Sequence, residues 1–356
     1  MAFLKSEKIR IAGISAAVPR EIERNAELSW FKNDPAAFPP FLENVGVFER
    51  RVSRERNICA SDLCCAAADN LIEKLGWKRE EIHAVIFVSQ TADYRLPATA
   101  CLLQNRLGLP TDCLAFDISL GCSGWINGLC ALAALMQSGA GRKALLLAGD
   151  TPGTHLHSVF DKSSAPLFGD AGTATALEFS ENANPMFFHL ATDGSGANAI
   201  ILPDGGARNP VSENSTKIQD LGPDIQCSPL QTRMNGMDVF AFAVSQAPKS
   251  LNALLSHFGL SKESANFLLL HQANRLINEK IRKKLGFRPE NCPSNLKNFG
   301  NTSCASIPLL AVCERDSAQW EKGERSILAC GFGVGLSVAS AYFELDAPVI
   351  PPLTEI

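Results

Sequence analysis

The feature of this 356-residue chain that most restricts its fold is a weak internal repeat. A shift of 182 residues, from 89 to 271, aligns Ser89-Gln90 with His271-Gln272, Gly121-Cys122-Ser123 with Ser303-Cys304-Ala305, and Ala148-Gly149 with Cys330-Gly331. Each point falls at the end of an apolar strand pattern or the start of a helical one, and strands that alternate with helices predict a largely parallel sheet. The repeat therefore predicts an α/β protein of two similar halves, residues 1–180 and 181–356.

A cysteine stands at one of these junctions. An apolar strand pattern that ends near Ile118 and a helical pattern that follows predict that Cys122 lies in the first turn of a buried helix. Unpaired backbone N–H groups and the helix dipole lower a thiol pKa there and can hold an oxyanion. We interpret Cys122 as an acyl-accepting nucleophile, although a lone cysteine in an apolar segment is more often a core residue.

The composition excludes several classes of function. A net charge of −4 argues against nucleic acid as the main partner. No apolar run approaches eighteen residues, and residues 1–10 lack the apolar core of a signal peptide, so we expect a cytoplasmic protein without membrane insertion. The 12 cysteines show neither paired Cys-x-x-Cys motifs nor a His cluster at zinc spacing, so no metal site is expected.

Three other segments affect the predicted organisation. Residues 33–40 are polar and contain several prolines, which favours a surface loop. Residues 195–234 have few periodic signals and are interpreted as the join between the halves together with surface excursions. A helical pattern follows over residues 239–258, and Pro248 inside it is expected to kink or break that helix.

The second half supplies polar groups at strand ends. His271 follows an apolar strand pattern at residues 267–270, where an imidazole can donate a hydrogen bond or exchange protons. Asn301 precedes another helix, and a glycine-rich loop at residues 331–335 can direct an N–H at a substrate oxygen. Because open sheets present their chemistry at the carboxyl ends of parallel strands, these groups are expected to meet Cys122.

Four motifs in this order and spacing resemble the β-ketoacyl-acyl-carrier-protein synthase III family of the thiolase fold. They are Gly-Cys-Ser-Gly at 121–124, His-Gln-Ala-Asn at 271–274, Gly-Asn-Thr-Ser at 300–303 and the late glycine loop. The resemblance covers nearly the whole chain. It implies a thiolase-like fold of two duplicated halves in αβαβα layers, a homodimer, and no resident cofactor, the substrates being carried on coenzyme A or phosphopantetheine.

The resemblance also implies roles for individual residues. Cys122 would attack an acyl thioester to give an acyl-enzyme. His271 and Asn301 would stabilise the carbanion left when a malonyl unit on acyl carrier protein loses CO2, and the N–H groups of Cys122 and Val334 would hold the oxyanion. The implied reaction is a decarboxylative Claisen condensation giving a 3-oxoacyl thioester, in fatty-acid or specialised lipid and polyketide synthesis.

The chain departs from the family pattern near the acyl donor. Pro40 and Asn44 stand where chain-starting members usually carry the Trp and Arg that grip coenzyme A, so the donor rides either on coenzyme A held differently or on a carrier protein. Leu96 stands where some members have a Phe closing the acyl pocket, which leaves room for another acyl group.

A run of basic residues has two interpretations. Arg275, Lys280, Lys283 and Lys284 form either a solvated helix face or a dock for an acidic acyl carrier protein.

Two other functions remain open at this point. One is an acyltransferase that passes the Cys122 acyl group to an oxygen or nitrogen nucleophile. The other is a non-catalytic partner subunit of a synthase. The presence of both His271 and Asn301 disfavours each of them, because neither function needs a pair suited to decarboxylation.

Overall fold

The computed structural model describes residues 2–54, 58–317 and 325–356. Within them the strands are, in chain order, β1 (Ala2–Ser6), β2 (Ile9–Val18), β3 (Ile22–Arg24), β4 (Glu49–Arg51), β5 (Ala84–Val88), β6 (Leu114–Ile118), β7 (Lys143–Asp150), β8 (Ala171–Phe179), β9 (Met186–Thr192), β10 (Ile200–Ile201), β11 (Gln219–Asp220), β12 (Gln226–Cys227), β13 (Arg233–Met234), β14 (Phe267–Leu270), β15 (Arg325–Gly333), β16 (Ser337–Leu345) and β17 (Thr354–Glu355).

The α-helices of the same residues are α1 (Ser29–Asn33), α2 (Phe38–Val45), α3 (Ala60–Leu75), α4 (Thr99–Arg106), α5 (Gly124–Gln137), α6 (Pro152–His155), α7 (Gly236–Phe258), α8 (Arg275–Leu285), α9 (Leu296–Phe299) and α10 (Ser306–Cys313). None of these helices combines the length and the apolar character that crossing a bilayer requires.

Two mixed sheets form the centre of the protein. Their strand orders are β17-β2-β8-β7-β5-β6 and β1-β9-β16-β15-β14. Strand β5 pairs in parallel with β6 and β7, and β14 pairs in parallel with β15, but β7 with β8 and β15 with β16 are antiparallel. The prediction of a largely parallel sheet is wrong at these pairs. Only residues 334–336 separate β15 from β16, which is too short for a parallel crossover.

The internal repeat is visible in the order of the elements. The same 182-residue shift carries the first residue of α5, Gly124, onto Ser306 of α10, and Lys143 of β7 onto Arg325 of β15. The strand order β2-β8-β7-β5 in one sheet matches β9-β16-β15-β14 in the other. Each end of the chain joins the sheet of the opposite half. The N-terminal strand β1 pairs with β9 of the second sheet, and the C-terminal strand β17 pairs with β2 of the first. The boundary at residue 180 itself stays a prediction.

Helices fill three layers around the two sheets. Helices α5 and α10 lie between the sheets, where the buried side chains of Trp125 and Leu309 join one core with Phe188 and Phe343. Helix α3 packs on β2, β7 and β8 on the outer side of the first sheet, and α7 packs on β9, β15 and β16 of the second. The predicted αβαβα order is confirmed.

The proline-rich segment is helical instead of a loop. Residues 35–37 form a 3-10 turn, and α2 follows from Phe38 with a proline in its first turn, where the missing N–H costs no hydrogen bond. The rings of Phe31, Phe38 and Phe41 contact one another and anchor the segment. The surface-loop prediction for residues 33–40 is therefore wrong, because the prolines start a helix. Helix α7 likewise runs unbroken through Pro248.

Candidate active site

Cys122 lies at the junction between β6 and α5. The helix begins at Gly124 with Ser123 as its N-cap, so the cysteine sits just before the first turn instead of within it. Strand β15 runs directly against this junction: a Cβ atom on Gly331 would lie 2.6 Å from the Cys122 carbonyl oxygen, and one on Gly333 would lie 2.8 Å from the Cys122 sulfur. These two glycines allow the late loop to approach the thiol.

The electrostatics of the thiol differ from the sequence prediction. Burial raises the pKa of Cys122 to about 12, with a further rise from Asp150, while the backbone of Val334 and of Cys122 itself and the Ser303 hydroxyl lower it. The predicted lowering of the thiol pKa is wrong, because loss of hydration outweighs the helix start. The Cys122 thiol therefore keeps its proton near neutral pH. Attack by Cys122 therefore needs a group that takes its proton.

His271 follows the last residue of β14 and is buried, with 1% of its surface exposed. Its backbone N–H donates to the Cys330 carbonyl at 2.9 Å, and its Nδ1 lies 2.7 Å from the Ser306 hydroxyl. Burial lowers the pKa of His271 to about 3, against an opposing contribution from the Ser303 backbone. The imidazole is therefore neutral near pH 7, and it donates from Nε2 when Nδ1 accepts the Ser306 proton.

Asn301 lies in the turn between α9 and α10. Its backbone N–H donates to the Leu167 carbonyl at 2.8 Å, and its carbonyl accepts from Gly169 at 3.1 Å. The side-chain oxygen accepts the Ser303 N–H at 2.9 Å. Because the oxygen of the amide is engaged in this way, its NH2 group is the end that is left to donate.

One cavity of about 1040 Å³, counting its open mouth, brings these groups together. Cys122, His271, Asn301, Ser303 and Val334 all line it. The remaining walls are largely apolar and include Leu156, Phe168, Ile201, Met234, Val239 and Ile277. Part of the segment 195–234 that the sequence suggested was a surface excursion therefore forms a wall of the site.

Leu96 is not brought to this cavity. Its side chain is 86% exposed, and the residue is absent from the lining formed by the described part of the chain. A single copy of the chain therefore does not place Leu96 against an acyl group, and the prediction that it contributes to the acyl pocket finds no support within one chain.

The predicted docking residues lie on the surface of α8. Arg275, Lys280, Lys283 and Lys284 are all exposed. The neighbouring Arg282 is buried instead, where it pairs with Glu279 and donates to the Phe287 carbonyl at 2.6 Å. Residues at the start of this helix line the cavity, so the basic face begins close to its mouth.

Sequence reasoning missed two residues of the site. Ser303 donates its N–H to the Asn301 side-chain oxygen and lines the same cavity as Cys122. Asp150 is fully buried at the end of β7 and raises the Cys122 pKa. Ser303 belongs to the Gly-Asn-Thr-Ser motif and Asp150 directly follows the Ala148-Gly149 repeat point, but their effect on the pKa of Cys122 depends on the packing of both halves. The described residues contain no group of three or more His, Cys, Asp or Glu placed to hold a metal.

Comparison with known proteins identifies the family. The model of 3-oxoacyl-[acyl-carrier-protein] synthase III matches residues 116–194, and the model of the C-terminal part of the same enzymes matches residues 255–345. A putative 3-oxoacyl-[acyl-carrier-protein] synthase 3 of Campylobacter jejuni is 32% identical over 341 residues, 94% of this chain and 93% of that protein. A beta-ketoacyl-[acyl-carrier-protein] synthase III of Streptococcus agalactiae is 31% identical over 332 residues, 93% of this chain and 97% of that protein.

Solved structures agree. The crystal structure of a 3-oxoacyl-(acyl-carrier protein) synthase from Burkholderia xenovorans superposes with a TM-score of 0.90 at 37% identity, covering 100% of this chain and 99% of that one. Relatives that span nearly the whole chain, two matching family models and the shared five-layered fold lead to one conclusion. This chain belongs to the 3-oxoacyl-[acyl-carrier-protein] synthase III family of the thiolase fold, as its four sequence motifs predicted.

Proposed function

We propose that this protein condenses an acyl thioester with malonyl-acyl carrier protein, with loss of CO2, through an acyl-Cys122 intermediate. One observation carries the proposal: a nucleophile and two neutral hydrogen-bond donors, Cys122, His271 and Asn301, line the same largely apolar cavity. Its product is a 3-oxoacyl thioester for fatty-acid or specialised lipid and polyketide synthesis.

In the first half-reaction the Cys122 sulfur attacks the carbonyl carbon of the donor thioester. A carbon–sulfur bond to Cys122 forms, the bond to the carrier sulfur breaks, and the thiol proton is removed as the carrier thiol leaves. The N–H groups of Val334 and Cys122 act on the same sulfur. They are therefore close enough to the reacting carbon to hold the oxyanion of the tetrahedral intermediate.

In the second half-reaction the malonyl thioester oxygen binds between His271 and Asn301. Loss of CO2 places negative charge on that oxygen, and the imidazole Nε2–H and the Asn301 NH2 stabilise it as it develops. A neutral imidazole suits this role, since burial holds the pKa of His271 near 3. The carbanion then attacks the acyl carbon, the new carbon–carbon bond forms, and Cys122 is released.

The exposed basic face of α8 is proposed to dock the acyl carrier protein. Its four cations, Arg275, Lys280, Lys283 and Lys284, stand out on a chain whose net charge is −4. Such a face attracts an acidic partner and orients it near the cavity mouth. A flexible phosphopantetheine arm would then enter between apolar walls without any resident cofactor.

The identity of the acyl donor depends on residues outside this face. Pro40 and Asn44 both lie in α2, where the Asn44 side chain donates to the Pro40 carbonyl at 2.9 Å and is used within the helix. Neither supplies a cation for a nucleotide phosphate. The acyl donor is therefore either an acyl-coenzyme A whose nucleotide is bound by other residues, or an acyl group delivered on a carrier protein.

We also propose that the protein acts as a homodimer in the cytoplasm. Strand β6 is the edge of its sheet, with Leu114 40% exposed, and an edge of this kind can pair with a second copy. The exposed Leu96 would reach an acyl group only if a second copy of the chain brought a cavity to it. Mass measured in solution by light scattering distinguishes one copy from two.

The enzymatic proposal is tested by weighing protein and products. The protein is incubated with malonyl-acyl carrier protein and a panel of acyl-coenzyme A and acyl-carrier donors. We expect an acyl adduct on Cys122, release of CO2 and a product two carbons longer than the donor acyl group. Acylation without CO2 release would instead support transfer to an oxygen or nitrogen nucleophile. Absence of acylation by every donor would support a non-catalytic partner subunit.

A further inference from the structure

A glutamine beside the nucleophile has no role in the mechanism above. Gln90 lies just after β5, is partly buried and lines the same cavity as Cys122. Its side chain packs on the backbone of Gly121, the residue before the nucleophile, since a Cβ atom on Gly121 would lie 2.7 Å from the amide carbon of Gln90. An acyl group on the Cys122 sulfur therefore begins close to this amide.

The backbone around Gln90 is held in one position by a buried carboxyl group. The Oδ1 atom of Asp150, which is 0% exposed, accepts the Gln90 N–H at 2.7 Å. The same oxygen accepts from Ser89 Oγ at 2.9 Å and from the N–H and hydroxyl of Thr91 at 3.1 and 3.0 Å. Because these bonds fix the turn after β5, the Gln90 amide is presented to the cavity from a rigid base.

The equivalent glutamine of the second half shows what is unusual about Gln90. The 182-residue shift aligns Gln90 with Gln272, which is 0% exposed and is not part of the cavity lining formed by the described residues. Gln272 Nε2 donates to the Leu270 carbonyl at 2.7 Å, and its Oε1 accepts from Ser294 Oγ at 2.8 Å. Among the described residues, the side-chain amide of Gln90 forms no hydrogen bond of this kind.

An unpaired amide in this cavity affects which acyl groups bind well. Water can satisfy the Gln90 amide while the cavity is empty, but an acyl group that enters displaces that water. A purely apolar acyl group would then leave the amide without a partner, which costs binding free energy. An acyl group with a polar atom at this place would avoid that cost.

The charge of the lining restricts what that polar atom can be. None of the described residues that line the cavity is Asp, Glu, Lys or Arg. A carboxylate or ammonium group on the acyl chain would lose its hydration there without an opposite charge nearby. A hydroxyl group is neutral, and its oxygen can accept a hydrogen bond from the NH2 of an amide. The lining therefore favours a hydroxyl over a charged substituent.

We propose that Gln90 selects a donor acyl group that carries a hydroxyl on one of its first carbons. The inference rests on the proposed function, since the acyl group must be attached to Cys122. The Gln90 NH2 donates to the hydroxyl oxygen, and the rest of the chain lies against apolar walls such as Phe168, Ile201 and Met234. Hydroxyacyl thioesters are thus the substrate class that this cavity fits.

The test lets matched acyl donors compete for Cys122. The 2-hydroxybutyryl or the 3-hydroxybutyryl group is mixed with butyryl, on coenzyme A and on acyl carrier protein, and the adducts on the Cys122 peptide are weighed. We expect the native protein to load one of the hydroxylated groups about tenfold faster than butyryl, the scale of a hydrogen bond whose loss leaves a group unpaired. Gln90→Met and Gln90→Leu remove the amide and should each abolish that preference.

Gln272→Met is the matched control for these variants. It removes the same amide from the equivalent place in the second half, outside the described lining of the cavity, and should keep the native preference even if it lowers thermal stability. Because both donors compete for the same folded molecules, the ratio of the two adducts does not depend on the fraction of protein that is folded.

Other outcomes reject the inference or the function separately. Equal loading of all three groups by the native protein, or a preference for butyryl, would overturn the selection of hydroxyacyl groups and leave the proposed function intact. A native preference that persists without the Gln90 amide, but is lost in His157→Phe, would assign the contact to that buried histidine of the cavity wall and overturn the role of Gln90. Absence of any adduct on Cys122, from butyryl included, would reject the proposed function itself.

Discussion

Cys122 and Cys304 occupy equivalent places in the two halves of the molecule, and their surroundings differ. Cys122 is 8% exposed and lines the cavity beside the glycines at the end of β15. Cys304 is 1% exposed, and its thiol donates to the Val88 carbonyl at 3.3 Å. A place just before a buried helix therefore does not make a cysteine a nucleophile. Cys122 differs from Cys304 because it lines the cavity and because the second half of the chain supplies the backbone N–H of Val334 to its sulfur.

The largest expected effect comes from removing each cysteine of the pair. Cys122→Ala should abolish acyl loading and lower the condensation rate by more than about 10⁴-fold, since the described residues that line the cavity include no second cysteine. Intact-protein mass after incubation with donor measures the loading.

Cys304→Ala is the matched control for this pair. It should load normally and retain the condensation rate to within about threefold, because its buried thiol lies outside the lining of the cavity. A comparable loss of loading in both variants would show that the two junctions are not chemically distinct.

The next effect concerns the donors that the second half contributes. His271→Ala and Asn301→Ala should each reduce condensation by about 10²- to 10³-fold, the usual cost of one donor to a developing oxyanion. Both should still form the acyl adduct, since neither residue is needed to open the donor thioester. Rates of CO2 release from malonyl-acyl carrier protein by pre-acylated protein measure the effect.

A buried histidine outside the cavity provides the comparison. His189 is 3% exposed and its Nδ1 lies 2.7 Å from Ser250 Oγ, so His189→Ala removes a similar ring from the second sheet. It should lower thermal stability while leaving CO2 release per folded molecule unaltered. Equal losses in His189→Ala and His271→Ala would indicate that the His271 effect is structural.

The sequence predicted the parts of the site that depend on local pattern. Cys122, His271 and Asn301 each follow a strand or precede a helix, and the repeat placed these junctions at one edge of the fold. The sequence also predicted the αβαβα layers through its family resemblance. Hydrophobic periodicity and turn residues are local signals, so they can be recognised within a single segment without knowledge of the rest of the fold.

Properties created by packing between halves were not predictable in this way. The prediction of a lowered thiol pKa was wrong because Cys122 is buried against β15, which lies more than 200 residues later in the chain. Asp150 follows the Ala148-Gly149 repeat point and Ser303 belongs to the Gly-Asn-Thr-Ser motif, but neither pattern indicates that both residues affect the pKa of Cys122. The helix α2 was missed because prolines in a first turn resemble prolines in a loop.

A smaller effect is expected from the surface that distinguishes the halves. Lys283→Glu with Lys284→Glu reverses the exposed charge of α8 and should raise the KM for malonyl-acyl carrier protein by about tenfold, with alkylation of Cys122 unaltered. Steady-state kinetics at two salt concentrations measure it, since the difference should shrink as salt screens the attraction.

The same reversal on the first half serves as its control. Lys74 and Lys78 are exposed on or just after α3, and changing both to Glu alters the net charge equally. This variant should leave the KM within about twofold of the native value, because those lysines lie on the covering helix of the other sheet. A tenfold rise here as well would place the attraction in the overall charge, and the α8 dock would be rejected.

The smallest effect expected is the absence of a pH transition from His271. Its folded pKa of about 3 lies below the ordinary histidine value, so the ring is already neutral throughout pH 5 to 8 and its donor capacity does not alter there. CO2 release by pre-acylated protein should therefore vary by less than about twofold across that range. Acylation should rise with pH instead, because the Cys122 thiol must lose its proton to attack and burial raises its pKa. A histidine-like inflection near pH 6.5 in CO2 release would contradict this prediction, because it would show that the buried His271 ring changes its protonation in the working range.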